Sequence, residues 1–330
     1  MSSDPSSATL AALGESGLVA KILARIGESQ VESSSIEIAA GDDAAVMGTS
    51  GSSFVLSVDM YAEGKHFRTD WSTAIEIGRR CAAASLADVC SMGAVPVGAL
   101  LAIGLPASTT SHWADEFMAG FMQEIGDAGS ILLGGDVSGC ESIVISVTAL
   151  GTVVSGTAIT RGGARAGDII GICGRSGMAA GGLRVLQRGL RSPRALVDAF
   201  RVPEIDYTAG TRAAKSGATS MIDISDGLVA DLQHIARESG VGIEIDTKKI
   251  VVPVELGTTA AAFGADPMAW ILAGGDDHAF VATFPPKKRL PTGFAEIGKV
   301  VPDPIGEVLV DGVLYRDAYE VSPGFQHFSS

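Results

Sequence analysis

The sequence predicts an α/β fold of two domains, each a layer of strands packed against helices, and three observations carry that expectation. At 330 residues the chain exceeds the ~100–200 residues of one domain. Apolar runs of strand length recur and end on aspartate-bearing turns: "FVLSVD" reaches Asp59, "SILLGGD" reaches Asp136 and "TSMIDIS" contains Asp223. Between these runs lie segments with apolar residues three or four apart, the spacing of a helix with one buried face. With 46% hydrophobic and 19% charged residues the composition is globular, and 42 glycines beside few aromatics suit strand-to-helix turns better than a β-sandwich.

The elements follow in order. Residues 1–10 are polar and expected to be disordered. "GESGLVAKILARI" places Leu18, Ile22 and Ile26 on one helix face. "SSIEIAA" and "FVLSVDM" read as strands. "STAIEIGRRCAAASLADVCSMG" reads as a helix with Ser72 as N-cap, Asp88 near its end and Gly93 beyond it. "VPVGALLAIGLP" is strand-like, and "SHWADEFMAGFMQEIGDAG" is a helix with Phe117, Phe121 and Ile125 on one face. "SILLGGD" and "SIVISVTALGTVV" are strands. The turn-rich "GTVVSGTAITRGGARAGD" links a first domain over 11–153 to a second over 154–330. The second restarts with the strand "DIIGICG" and a helix-rich stretch from about 179 to 216. "TSMIDIS" is then a strand and "DGLVADLQHIARESG" a helix stopped by Gly240. "VGIEID", "HAFVATF", "FAEIGKVV" and "GEVLVDG" complete the strands.

Several functions are disfavoured. A net charge of −14 repels nucleic acid and anionic membrane. The N-terminus lacks the apolar core of a signal peptide, and the longest apolar runs fall short of the ~20 residues of a membrane helix. Cys81, Cys90, Cys140 and Cys173 form no CxxC pair and sit among small or apolar residues, which reads as inert buried thiols in a reducing cytoplasm. Arg184, Arg188, Arg191 and Arg194 read as a solvated helix face. "GFAEIGKV" approaches a phosphate loop, but Val300 stands where the Mg²⁺-binding hydroxyl belongs and Pro302 follows. "GGARAG" does not match a dinucleotide fingerprint.

The aspartates remain. Open α/β layers bind ligands at the carboxyl ends of strands. Asp59, Asp136 and Asp223 are expected at such ends, with Asp43 in a turn after an earlier strand. Asp226 also fits a helix cap. Two like charges 4 Å apart repel by ~4 kcal/mol at an effective dielectric of 20, so a converging cluster would take up protons or hold cations. Mg²⁺ takes oxygen ligands and bridges to phosphates, which would turn an acidic cleft into a phosphate site without a phosphate loop.

The ordered set "GDDAAV", "SVDMYAEGKHF", "SLADVCSMGAVP", "LLGGD", "TRGGARAGD", "IDISDGL" and "LAGGDD" resembles the thiamine-monophosphate kinases, in the superfamily shared with aminoimidazole ribonucleotide synthetase and selenophosphate synthetase. The likeness runs from "GESGLVAKI" to "GFQHF". It implies an aminoimidazole ribonucleotide synthetase-like fold, with an N-terminal sheet domain for ATP, metal and dimerisation and a C-terminal α/β domain. It also implies a homodimer that moves the γ-phosphoryl group of ATP directly onto thiamine monophosphate, aided by several Mg²⁺ ions.

Carried over residue by residue, the implied metal ligands are Asp43, Ser57, Asp59, Asp88, Asp136, Asp223 and Asp226, with the Val58 carbonyl. Gly135, Asp136, Arg161 and Ser225 would touch ATP, and His66, Asp276 and Phe325 the thiamine phosphate. The acceptor phosphate is already ionised, so no general base is assigned. The family motif GGEDYEL reads "GGDDHAF" here: Asp276 replaces a glutamate, His278 a tyrosine and Ala279 a glutamate. Two alternatives stand beside this reading. One is a sister enzyme of the superfamily, although no cysteine precedes Cys81 to serve a selenophosphate synthetase. The other is a nucleotide- or metal-binding regulator without turnover.

Overall fold

The computed structural model describes residues 17, 19–20, 23–24, 36–38, 41–319 and 322–324. The expected disordered start, most of the expected helix over 14–26, and Phe325 lie outside the described residues.

The first half is a six-stranded sheet. Its strands are β1 (Ile36–Ile38), β2 (Ala45–Gly48), β3 (Ser52–Ala62), β4 (Val95–Leu105), β5 (Ile131–Gly139) and β6 (Val144–Val154), in the order β1-β2-β3-β6-β4-β5. Pairing is antiparallel except between β4 and β5. Helices α1 (Ala74–Ser91) and α2 (Ser111–Asp127) cover one face, with Ile77, Leu86, Phe117 and Phe121 packed on Val55, Ile145 and Val147. Thr73, not Ser72, caps α1. Its hydroxyl accepts from Glu76 N while the Glu76 carboxylate accepts from Thr73 N, because only Thr73 has a glutamate three residues on.

The second half is a seven-stranded sheet of β7 (Ile169–Cys173), β8 (Ser220–Asp223), β9 (Gly242–Ile245), β10 (Phe280–Phe284), β11 (Phe294–Val301), β12 (Val308–Val310) and β13 (Val313–Leu314). Their order is β13-β12-β9-β11-β7-β10-β8. Helices α3 (Met178–Gln187), α4 (Arg194–Arg201), α5 (Ala209–Ser216), α6 (Leu228–Ser239), α7 (Val254–Phe263), α8 (Pro267–Ala273) and α9 (Tyr315–Ala318) accompany it. Both faces carry a core. Leu228, Leu232 and Ile235 of α6 pack with Ile222 and Val281, while Ala209 and Ala213 of α5 pack with Met221, Phe280 and Phe284. The near-phosphate-loop "GFAEIGKV" is largely strand β11.

α1 belongs to both halves. Its Ala87 and Cys90 join the core formed by α5, β8 and β10. Beside it, buried Glu124 accepts from Arg79 at 2.7 Å and from the Tyr207 hydroxyl at 2.6 Å, and Arg201 pairs with Glu76 at 3.1 Å. Any site on the inner face of α1 therefore lies between the halves.

The two-sheet α/β architecture is the expected one, and both sheets are mostly antiparallel. Two sequence expectations need correction. Asp59 and Asp136 lie inside β3 and β5 rather than at strand ends, as the ladder with β6 carries β3 on to Ala62 and that with β4 carries β5 on to Gly139. Asp223 alone of the three ends its strand. Cys81, Cys90 and Cys173 are buried, and burial raises the pKa of each, but Cys140 is exposed. Among the described residues no helix is long and apolar enough to cross a membrane.

Candidate active site

The site begins with an inversion on β3. Alternate residues of a strand face opposite sides. Ser57, Asp59 and Tyr61 share ladder rows with buried Ala149, Val147 and Ile145, so they point inward toward α1. Val58 and Met60 point outward and are 66% and 63% exposed. The polar side of this segment is thus the covered one. Ser57 Oγ donates to Asp88 Oδ2 at 2.6 Å, and the Tyr61 hydroxyl stands 3.2 Å from Asp59 Oδ2 and 2.9 Å from Ser85 Oγ.

The turn before β2 and the link between the halves add to this wall. Ser91 Oγ donates to Asp43 Oδ2 at 2.6 Å and also lies 2.7 Å from the Asp88 carbonyl oxygen. Arg161 Nε donates to Asp43 Oδ1 at 2.6 Å, and Arg161 N donates to Asp42 Oδ2 at 3.0 Å. The loop holding Arg161 is pinned by Ser239 Oγ, which accepts from Gly163 N and Ala164 N at 3.1 Å each.

The second half contributes two loops that wrap each other. Asp276 N donates to the Ser225 carbonyl at 2.8 Å, His278 N to that of Ile224 at 2.8 Å, and Ile224 N to that of Ala279 at 2.7 Å. This approach needs Gly275, whose Cβ would fall 2.3 Å from Ser225 O. Asp226 is not the cap of α6. Instead Asp231, one turn into the helix, reaches back to accept from Asp226 N at 3.2 Å and Gly227 N at 3.0 Å. Buried Asp277 likewise accepts from Gly177 N at 2.6 Å and Ala179 N at 2.8 Å, joining its loop to the start of α3. Asp223 is held by His278 Nδ1 at 2.8 Å.

These acids feel one another. Burial, then the charges of Asp59, Asp223 and Asp43, push the Asp88 carboxyl well above its usual range. Burial also lifts Asp43 to about 7 despite Arg161, with Asp223 adding to the rise, and it raises Asp59. Asp231 is driven well up by burial and by Asp223 and Asp226. Burial pulls His278 down, but its bond to Asp223 and that charge outweigh it, so its pKa is raised.

A cavity of about 860 Å³ opens along this wall between the halves. Asp59, Asp88, Ser225, Asp226, Asp276 and His278 line it, together with His66, Arg80, Trp71, Phe200 and Trp270. His66 Nδ1 accepts from Ala62 N at 3.0 Å, which leaves a neutral ring's proton on Nε2. Arg184, expected on a solvated face, lines the cavity, and Arg191 donates to the Asp70 carbonyl across the halves at 3.2 Å.

The structure brings Asp43, Ser57, Asp59, Asp88, Asp223 and Asp226 together and sets Asp136 apart. In the ladder row Met60–Ser146–Ala102–Asp136 the side chains point to the outer face, opposite Asp59. Three strand steps of ~4.8 Å separate Asp136 from Met60. Asp136 is exposed, and Ser138 Oγ lies 3.4 Å from its carboxylate. Gly135 has a structural reason of its own, since its Cβ would meet Leu101 O at 1.8 Å. Sequence reasoning missed Arg80, Ser91 and Asp231. Arg80 and Asp88 lie eight apart on α1, a spacing that sets them on one helix face.

Among the described residues no three Asp, Glu, His or Cys side chains are disposed to share one ion as they stand. Arg161 and Ser91 hold Asp43, His278 holds Asp223, and Ser57 holds Asp88. The donors are nevertheless hard oxygens crowded into mutual repulsion, a set suited to Mg²⁺.

Comparison with known proteins agrees with this architecture. Residues 41–153 match the N-terminal domain, and 165–311 the C-terminal domain, of the AIR synthase related proteins. The thiamine-monophosphate kinase of Mycobacterium tuberculosis strain H37Rv is 37% identical over 307 residues, covering 93% of this chain and 90% of the relative. That of Escherichia coli K12 is 29% identical over 339 residues, covering 97% and 99%. A solved structure described as AaThiL complexed with AMPPCP and TMP superposes with a TM-score of 0.86 at 30% identity, covering 97% of this chain and 99% of that one. The two sheets are thus the two domains of an AIR synthase related protein. Within that class the chain belongs to the thiamine-monophosphate kinase family.

Proposed function

We propose that the cavity transfers the γ-phosphoryl group of ATP to the phosphate of thiamine monophosphate, giving ADP and thiamine diphosphate. The observation that supports this most is the convergence of Asp43, Asp59 and Asp88 from the first half with Asp223 from the second beside an 860 Å³ cavity. An ionised phosphate oxygen of the acceptor attacks the γ-phosphorus in line as the bond to the ADP oxygen breaks. Both reactants are anions and the wall is acidic, so the chain must hold positive charge there. Asp43, Asp59, Asp88, Asp223 and Asp226 with Ser57 are the residues that would hold Mg²⁺. Bound Mg²⁺ supplies charge that offsets repulsion between the phosphates. Arg161 and Ser225 orient the nucleotide, and His66 presents its Nε2 proton to the acceptor.

A homodimer is part of this reading. The outer face of the first sheet exposes Phe54, Val58, Met60, Val95, Leu100 and Ile131, an apolar surface of the kind that marks an interface. A second copy laid on it would also cover exposed Asp136, which lies on this outer face. Buried, unpaired thiols fit a cytoplasmic enzyme.

The test is a product assay with ATP, Mg²⁺ and thiamine monophosphate, with and without chelator, reading thiamine diphosphate and ADP together. Equimolar products that vanish with chelator are expected. ATP binding without either product would sink the proposal.

A further inference from the structure

Arg80 is a cation buried in the cavity wall that no role given so far employs. It is 4% exposed, on the face of α1 that also carries Asp88. Its Nη2 lies 2.7 Å from Asp276 Oδ1, its Nη1 donates to the Phe200 carbonyl, and its guanidinium stands 5.2 Å from the Phe200 ring. Arg80 is therefore fixed on three sides by groups of the second half. The Asp276 side chain is 45% accessible, and its backbone is held at φ 69°, a left-handed conformation uncommon outside glycine. The Arg80 bond uses Oδ1, and both residues line the cavity.

We propose that Arg80 is a positioning residue for the acceptor: reaching from α1 across to the second half, it fixes the Asp276 carboxylate so that this group meets the cationic, amino-bearing rings of thiamine monophosphate. The choice between the two substrates follows from charge. A carboxylate accepts N–H donors and attracts a thiazolium cation, whereas it repels a triphosphate. Trp71 and Trp270, one from each half, line the same cavity and suit flat heteroaromatic rings. An Arg fork holds one carboxylate oxygen with defined direction, which a flexible ammonium does not.

This inference rests on the kinase reading, and its test separates the two. Thiamine monophosphate binding by calorimetry and full kinetics are measured for the wild type, Arg80→Lys, Arg80→Met, Asp276→Asn and the Arg80→Met/Asp276→Asn double variant. Arg80→Met is expected to raise KM and Kd for thiamine monophosphate about tenfold or more, with KM for ATP within about twofold. Arg80→Lys, which keeps a cation in the buried site, lies between. The double variant is no worse than the poorer single one, because both changes remove the same contact. A clamp that merely joined the halves would lower the melting temperature and shift both KM values together, and that result overturns the proposal. So does an unchanged thiamine monophosphate Kd in Arg80→Lys and Arg80→Met. A wild type that binds thiamine monophosphate without turnover ends the kinase reading, while the Kd series still decides the role of Arg80. A wild type that does not bind it ends both.

Discussion

Strand β10 of the second sheet is buried along its whole length, with Phe280, Ala282 and Phe284 in one core and Val281 in the other. Strand β3 of the first sheet covers one face only, and around the site its polarity runs backwards: Ser57 and Asp59 face the helices while Val58 and Met60 face outward. A sheet finished on both sides needs nothing more to be stable. A sheet with acids inside and methyl groups outside is costly in a lone chain, and such local conflicts concentrate at functional sites. On the proposed function the inward acids serve phosphate chemistry and the outward apolar residues are the face a second copy would cover. The largest expected effect tests this contrast directly. Ala282→Glu buries an unpaired charge in the finished sheet and should cost about 4 kcal/mol or more, read as loss of the folded state in denaturant titration. Ile131→Glu on the open face should leave folding within about 0.5 kcal/mol yet turn a dimer into a monomer in sedimentation. A variant that stays dimeric would remove the open face from the proposed interface.

The next effect addresses the inward acids. Asp223→Asn keeps shape and a hydrogen-bonding partner for His278 but removes a charge from the cluster. We expect kcat to fall about 10²–10³-fold with the circular dichroism spectrum and melting temperature retained. Burial raises Asp88 and Asp43 most and would persist, but Asp223 adds to both, so the variant should lower those carboxyl groups in part. A fully active Asp223→Asn enzyme would detach the carboxylates of the second half from the reaction.

Much of this was legible in the sequence, and the unread part has physical causes. The apolar alternation of "IVISVTALGTVV" and the helical spacing of Phe117, Phe121 and Ile125 correspond to β6 and α2. Gly240 ends α6 in the left-handed conformation at φ 66°. Strand ends were misjudged at Asp59 and Asp136 because a polar residue inside a strand looks like its terminus when the ladder partner is unknown. The separation of Asp136 from Asp59 depends on register across β6 and β4, which no local pattern encodes. The substitution at 276 was visible, but its pairing with Arg80, 196 residues earlier in the numbering, arises only when α1 meets the second half.

The smallest effect concerns the helix that closes one face of the finished sheet. His234 on α6 has its pKa lowered to about 4, first by burial and then by the charges of Arg161 and Arg237. An unfolded histidine titrates near 6.5, so between pH 6.5 and 4 the unfolded chain binds the proton that the folded chain refuses. The stability associated with His234 is then complete above pH 6.5 and is lost as the pH falls toward 4. From pH 7 to pH 5 this amounts to about 1–2 kcal/mol. His234→Gln, which cannot titrate, should show a correspondingly flatter decline of unfolding free energy across that interval. If the two curves fall in parallel, His234 is better solvated than its place on α6 requires, and the second sheet is less completely closed than its cores indicate.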